Sequence, residues 1–162
     1  MAMFPVNAGI SELRGVVLII KEAGGSISIS QLDDESELEI DSLLPLVEAC
    51  KMLGLATVAD GIITLTSEGQ QLSMKNFADM VSKRLASIEP FSSAISVLRA
   101  SNRALQTSEL ASLLLSRGIM LHGDFETGRL LLKSMLLKWA VRTELLDYNA
   151  EADSWSLSKR TY

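Results

Sequence analysis

The side chains best suited to catalysis or metal binding are scarce in this sequence and lie far apart along it. There is one histidine, His122, and one cysteine, Cys50. A zinc site needs three or four such ligands, and a cysteine–histidine nucleophile pair needs an accessible thiol, whereas Cys50 falls on the apolar face of a helical pattern. No phosphate-binding G-x-x-x-x-G-K-[ST] motif occurs. We therefore expect no catalytic residue, metal site or cofactor, and a protein that is not an enzyme.

Charge is distributed unevenly between the two halves of the chain. Residues 1–80 hold 4 Lys and Arg against 12 Asp and Glu, whereas residues 81–162 hold 11 against 8, and the whole chain has a net charge of −5. Tight nucleic-acid binding is driven by neutralisation of phosphates. The acidic balance therefore argues against it, while the positive second half keeps it as an alternative.

The acidic side chains of the first half form the candidate partner surface. The run that begins at Asp33, Asp34 and Glu35 lacks the glycine and the ligand spacing of a calcium loop. With Asp41 and Glu48 on the following helix, it could face a basic patch on a protein partner. A solvated surface that only maintains solubility is the alternative interpretation.

The basic side chains of the second half do not form one continuous stripe. Arg129 and Lys133 are four residues apart and share one side of a predicted helix, whereas Lys138 and Arg142 fall on the opposite side. If nucleic acid is bound, Arg117, Arg129 and Lys133 are the best candidate contacts.

These side chains are positioned by a series of helices and short strands. Apolar residues at helical spacing predict a helix that Gly24 and Gly25 end, a short helix over 31–39, and a helix in which Asp41 or Ser42 is the N-cap. Residues 56–59 and 62–65 are predicted strands joined by a tight turn at Asp60-Gly61.

The second half repeats this order of elements. A connecting helix over 75–88 ends before Pro90. Further helices follow, with Thr107 and Asp124 as N-caps, and the last extends to about Val141. Residues 144–148 and 154–157 close the chain as a second hairpin.

Helix, helix, helix and hairpin thus appear twice, which is the order of a winged helix. Apolar residues make up 48% of the chain, enough for packed cores. The predicted fold is mainly α with short β-hairpins, an α+β class built as tandem winged-helix units. The predicted boundaries are 1–73 for the first unit, 74–90 for the connecting helix and 91–162 for the second, winged-helix-like unit.

The stretch "LLPLVEACKMLGLATVADGIITLTSEGQQL" resembles the AAA-associated C-terminal domain, a prokaryotic family that follows the ATP-binding subunit of nitrate/sulfonate/bicarbonate-type ABC transporters. The matching positions are Leu43-Leu44-Pro45, Val47-Glu48-Ala49, Leu53-Gly54, Asp60-Gly61, Leu65-Thr66 and Glu68-Gly69. In "WAVRTELLDYN", the family's aromatic motif is matched at Trp139, Glu144, Leu145 and Tyr148.

The resemblance departs from the family pattern in two respects. The Gly-Arg-Tyr after the tryptophan is replaced by Ala140-Val141-Arg142, and the ATPase that normally precedes the domain is absent from this sequence. The chain is accordingly either a stand-alone relative or a piece of a longer ATPase. ATP binding and hydrolysis are not transferred to these residues.

The resemblance implies a non-catalytic regulatory or protein-interaction module associated with an ABC-transporter ATPase. The alternative is a winged-helix DNA-binding transcriptional regulator, and a sensor of a small molecule is a third hypothesis. The implied partner is the ATP-binding subunit, and a homodimer is left open. Without a long apolar run or a secretion signal, we expect no direct membrane insertion and a cytoplasmic location, peripheral at the membrane through a transporter complex. The sequence identifies neither the transported solute nor the regulatory signal.

Overall fold

The computed structural model describes residues 3–161 as two compact units, each with its own helices and its own antiparallel sheet. One unit comprises residues 7–80, and the other comprises residues 3–6 together with 81–161. The helical and strand content confirms the predicted α+β class.

The unit of residues 7–80 contains all five acidic candidates. Its elements in chain order are α1 Ile10–Glu22, β1 Ser26–Ser28, α2 Ile29–Ser36, α3 Ile40–Met52, β2 Ala56–Ala59, β3 Ile62–Leu65 and α4 Ser67–Gln71. The strand β3 lies between β1 and β2 and pairs antiparallel with both. The hairpin β2–β3 has the predicted bounds, with Asp60 and Gly61 at positive φ in its turn.

The core of this unit is formed by the apolar stripes that the sequence indicated. On α1, Leu13, Val17 and Ile20 are buried, and on α3 the buried set includes Leu43 and Cys50. Each helix buries one face and leaves the other in solvent, as an amphipathic pattern requires. The exposed face of α3 can therefore carry the charged candidates Asp41 and Glu48.

Residues of the family motif form hydrogen bonds that connect the β2–β3 hairpin to α4. The Thr66 N–H donates to the Leu55 carbonyl at 2.9 Å, and the Thr66 hydroxyl donates to the Gly54 carbonyl at 2.6 Å. The same hydroxyl accepts the Gly69 N–H at 3.2 Å and so caps α4. A side chain at Gly69 would put Cβ 2.1 Å from the Leu55 carbonyl oxygen, so only glycine fits there. This part of the motif is structural.

The other unit has the same order of elements. The division between the two units falls within α5 Phe77–Leu85. The elements that follow in chain order are α6 Phe91–Ser101, β4 Leu105–Gln106, α7 Thr107–Ser116, α8 Phe125–Met135, a π-helical segment Leu136–Val141, β5 Leu146–Asn149 and β6 Ser154–Leu157. The sheet order β4-β6-β5 corresponds to β1-β3-β2. The repeat inferred from the order of elements is present, and both units have a winged-helix-like layout.

Aromatic side chains fill the centre of this second unit. The Phe4 ring makes edge-on contacts with Phe91 and Trp139, at centroid distances of 5.6 and 4.8 Å. All three side chains are almost completely buried. The tryptophan of the family's second motif is therefore a core residue.

Several predicted helix ends differ from the structure. The N-cap of α3 is Glu39, not Asp41 or Ser42, and the N-cap of α7 is Gln106, whose partner Glu109 completes a capping box. The connecting helix α5 is shorter than the predicted 75–88. Ser73 and Asn76 exchange side-chain-to-backbone hydrogen bonds of 2.7 and 3.3 Å and form a turn in place of its first residues.

The last predicted helix changes geometry along its length. It is α-helical from Phe125 to Met135, with Asp124 as the predicted N-cap, and continues as the π-helical segment to Val141. Across residues 3–161, every helix falls short of the length and hydrophobicity that a bilayer-spanning segment requires.

Candidate interaction surfaces

The first three acidic candidates are held together by α2. The Ser28 hydroxyl caps this helix by accepting the Gln31 N–H at 3.1 Å. Leu32 is its one fully buried side chain and anchors the helix to the core. With Leu32 turned inward, Asp33 is half-buried, and Asp34 and Glu35 are exposed. The sequence therefore folds so that three consecutive carboxylates lie at or near the surface.

The three carboxylates on α2 are outside the ion pairs that the described part of the chain forms. Within residues 3–161, none of them forms an ion pair with Lys or Arg. The one side-chain contact is a long hydrogen bond of 3.4 Å from the Gln31 amide to Glu35. Their negative potential is therefore not compensated by the protein itself, which favours a cationic partner surface.

The other two acidic candidates lie on α3. Asp41 and Glu48 are both exposed and share one side of the helix. Glu48 accepts the Lys51 ammonium at 3.3 Å, an exposed pair that contributes little free energy. Beside them, Ile40 is 44% exposed and Leu44 is 49% exposed. The outer face of α3 thus combines carboxylates with large apolar side chains.

The basic candidates are engaged within their own unit. Arg117, which follows α7, donates to the Ser96 hydroxyl at 3.0 Å. On α8, Arg129 pairs with Glu126 at 3.0 Å, and this hydrogen bond is the main reason that the Arg129 pKa is raised. The Lys133 ammonium lies 3.1 Å from an Asp153 oxygen. The structure brings Arg129 and Lys133 onto one helix, but each faces a carboxylate.

Lys133 belongs to a polar network that sequence analysis missed. The Trp155 indole N–H donates to the Thr107 hydroxyl at 2.8 Å, and Thr107 donates to Asp153 at 2.9 Å. The Tyr148 hydroxyl donates to the same Asp153 oxygen at 2.5 Å. The network links residues of the hairpin β5–β6 to α7 and α8. The prediction of this hairpin is the only sequence signal that pointed to the network.

The charges in this network are stabilised by its hydrogen bonds. The Tyr148 hydrogen bond is the largest effect that lowers the Asp153 pKa, and Thr107 and Lys133 add to it. Contacts with Tyr148 and then Asp153 raise the Lys133 pKa. The ammonium also lies 5.5 Å from the Tyr148 ring centroid. With these groups directed at one another, the network holds the second hairpin in place.

Cys50 and His122, the two residues first considered for catalysis or metal binding, have structural surroundings. Cys50 is buried, and burial raises the pKa of its thiol to about 12. His122 is exposed, and its Nδ1 accepts the Asp124 N–H at 3.0 Å next to the α8 N-cap. Among residues 3–161, no group of three or more His, Cys, Asp or Glu side chains is arranged to hold a metal ion.

Comparison with known proteins connects these features to one family. A family model described as the C-terminal AAA-associated domain matches residues 30–149, which include all but the first residue of α2, the whole of α3, both family motifs and β5. Searches of curated proteins and of solved structures gave no match. The matched range covers well over half of the sequence and contains the Pro45 and Trp139 motifs that carry the resemblance. The chain therefore belongs to the family of C-terminal AAA-associated domains.

Proposed function

We propose that this chain is a non-catalytic module that binds, and thereby regulates, the ATP-binding subunit of an ABC transporter. Membership of the C-terminal AAA-associated domain family associates it with AAA-type ATPases. The sequence resemblance narrows the proposed partner to the nitrate/sulfonate/bicarbonate class. The proposed place of action is the cytoplasmic face of the membrane, reached through the transporter complex.

The observation that carries this proposal is the uncompensated acidic surface on α2. Asp33, Asp34 and Glu35 face no cation of their own unit, and the exposed Ile40 on α3 adds apolar area close by in the chain. A partner with a basic surface and an apolar patch would gain both electrostatic steering and buried area. Asp41 and Glu48 on the outer face of α3 add to the negative charge of this unit and so to the long-range attraction of a basic partner.

The use of the titratable groups supports the proposal of a role without catalysis. The Cys50 thiol stays protonated near neutral pH and is shielded from solvent. The Asp153 carboxylate contacts Lys133, Tyr148 and Thr107, so these polar groups interact with one another. A nucleophile, base or acid needs a free position next to a reacting atom, and these groups are arranged as structural partners.

Binding of DNA is less consistent with the same surfaces. In the winged-helix-like layout, α3 and α8 are the third helices of their units, the position used for reading the major groove. The outer face of α3 is acidic, and Arg129 and Lys133 on α8 are paired with carboxylates. Binding of a DNA duplex is therefore the result that would favour the alternative function, a DNA-binding regulator.

The proposal is tested by titrating the purified ATP-binding subunit of the transporter from the same organism onto the immobilised chain. We expect saturable binding that weakens as salt is raised, because the contact is electrostatic. A mixed-sequence DNA duplex is titrated in parallel at the same salt concentrations. Saturable, salt-dependent binding of the duplex with no binding of the subunit would overturn the proposal in favour of a DNA-binding regulator.

A further inference from the structure

A second surface of the unit of residues 7–80 has the opposite charge to α2 and α3. It is an open groove of about 420 Å³ along α1, called the α1 groove. Its main lining side chains are Arg14, Leu18 and Lys21 on α1, with Leu72, Ser73 and Met74 opposite them. Arg14 and Lys21 are two of only four cations in this acidic unit, so the groove is locally positive.

Both cations lack a carboxylate partner. The Arg14 guanidinium lies 5.7 Å from the Phe77 ring centroid, and the Lys21 ammonium donates to the Leu72 carbonyl at 2.6 Å. Neither forms an ion pair with any residue from 3 to 161, although both are half-buried. The ring and the carbonyl do not neutralise the two positive charges, so the groove attracts an anionic ligand.

The spacing of the two cations specifies what that ligand looks like. They are seven residues apart on one α-helix, so they share a face and are separated by about 10 Å along its axis. Leu18 lies between them and is 55% exposed. A complementary ligand therefore carries two carboxylates about two helical turns apart with an apolar side chain between them.

The chain contains this pattern itself on α3. Asp41 and Glu48 are also seven residues apart on one face, and Leu44, 49% exposed, lies between them. We propose that the α3 face of one copy of this chain docks in the α1 groove of a second copy. In that arrangement Asp41 and Glu48 meet Arg14 and Lys21, and Leu44 packs near Leu18.

In the proposed dimer the contact between groove and helix is made twice. The α1 groove and the α3 face belong to the same compact unit, so each copy can offer both surfaces and two identical contacts can form about a two-fold axis. The exposed Glu48–Lys51 pair is weak and can be exchanged for the intermolecular contact. The inference goes beyond the proposed function and leaves Asp33, Asp34 and Glu35 on α2 for the ATPase.

The test uses two charge-reversed variants and their mixture. The first is Arg14→Glu with Lys21→Glu, and the second is Asp41→Lys with Glu48→Lys. By sedimentation velocity over a range of concentration, we expect the wild-type chain to dimerise. Each variant alone should dimerise at least tenfold more weakly, because every contact then joins like charges. An equimolar mixture should recover a heterodimer, because both contacts again join opposite charges.

Control variants separate this idea from folding and from the proposed function. Leu18→Glu and Leu44→Lys change exposed side chains only, and each places a charge opposite like charges across the proposed contact. Each should therefore weaken the dimer, whether or not charge reversal at the half-buried Arg14 disturbs the fold. Asp33→Lys with Asp34→Lys changes the net charge by as much as the second variant, and should leave the dimer intact while weakening ATPase binding.

The outcomes decide the inference independently of the ATPase. A wild-type chain that stays monomeric up to about 200 µM, well above the micromolar range of specific association, would overturn it. So would a dimer that all the reversed variants retain, or a mixture in which no heterodimer forms. A wild-type chain that dimerises but does not bind the ATP-binding subunit would contradict the proposed function and not the dimer.

Discussion

Replacement of Gly69 by alanine tests the structural explanation of the family motif. The added Cβ would lie 2.1 Å from the Leu55 carbonyl oxygen and 3.2 Å from a Leu65 methyl group. The first distance is far below contact, and backbone on both sides must move to relieve it. The same oxygen accepts the Thr66 N–H at 2.9 Å, so that hydrogen bond is strained or lost.

The expected loss of stability combines two effects. Overpacking in a well-packed region costs about 1–3 kcal/mol, and loss of a backbone hydrogen bond costs about 1 kcal/mol. We therefore expect Gly69→Ala to lower the free energy of unfolding of residues 7–80 by about 2–4 kcal/mol, a large part of the stability of a small domain.

A matched substitution isolates the steric effect. Gly15 is exposed on α1, and a Cβ there would meet no atom within 4 Å. Gly15→Ala should therefore raise stability by about 1 kcal/mol, from helix propensity alone.

Unfolding in urea is followed by far-ultraviolet circular dichroism, with hydrogen exchange at the β2–β3 amides as a local probe. Both tryptophans, Trp139 and Trp155, lie in the other unit, so their fluorescence reports on that unit separately. If Gly69→Ala stays within about 0.5 kcal/mol of the wild type, the range of ordinary surface substitutions, the close approach to Leu55 does not require glycine and the explanation is refuted.

Two further predictions concern pH and thiol chemistry. The Asp153 pKa is lowered in the folded state, so its contribution to stability is present above the ordinary carboxyl pKa of about 4 and is lost as pH falls through the folded pKa. Asp153→Asn should therefore lower the melting temperature at pH 7 and make progressively less difference below about pH 4; a difference that is constant from pH 3 to 7 would contradict this. With its thiol pKa raised to about 12 by burial, Cys50 should resist iodoacetamide at pH 8 in the native state and react readily in urea. Rapid stoichiometric labelling of the native protein would show that the thiol is accessible.

The elements of the fold could be predicted where the local sequence is unambiguous. The Asp60-Gly61 turn and the alternating residues beside it predicted β2 and β3 with the bounds that the structure has. The apolar stripe through Leu43 and Cys50 predicted the buried face of α3. Periodicity and turn chemistry are properties of neighbouring residues, so no tertiary information was needed.

Helix ends were harder to predict because several residues compete for one cap. Asp41 and Glu39 both precede the apolar stripe of α3, and the backbone turns helical at Ile40, so Glu39 is the N-cap without a side-chain hydrogen bond. The shift from α to π geometry after Met135 has no signature that the sequence analysis used. Such choices depend on how the helix packs, which the sequence does not state directly.

The candidate surfaces could be predicted where they depend on neighbouring residues, but not where they depend on contacts made by the fold. The acidic run on α2 is visible in the sequence, and the structure shows that its side chains at 34 and 35 are exposed. The partners of the basic residues were not visible, because Lys133 and Asp153 are twenty residues apart and meet only through the fold. The Trp155–Thr107 hydrogen bond joins residues still further apart in the chain.

In the proposed complex, the α2 carboxylates are the contact that recruits an ATPase subunit. The most direct measurement is the affinity of the ATP-binding subunit for the wild-type chain and for the triple variant Asp33→Lys, Asp34→Lys and Glu35→Lys, with Glu151→Lys, an exposed acid of the other unit, as the control. We predict that the triple variant binds at least tenfold more weakly at low salt, that the difference shrinks as salt is raised, and that the control binds like the wild type. Equal affinities for all three proteins at every salt concentration would contradict the central claim.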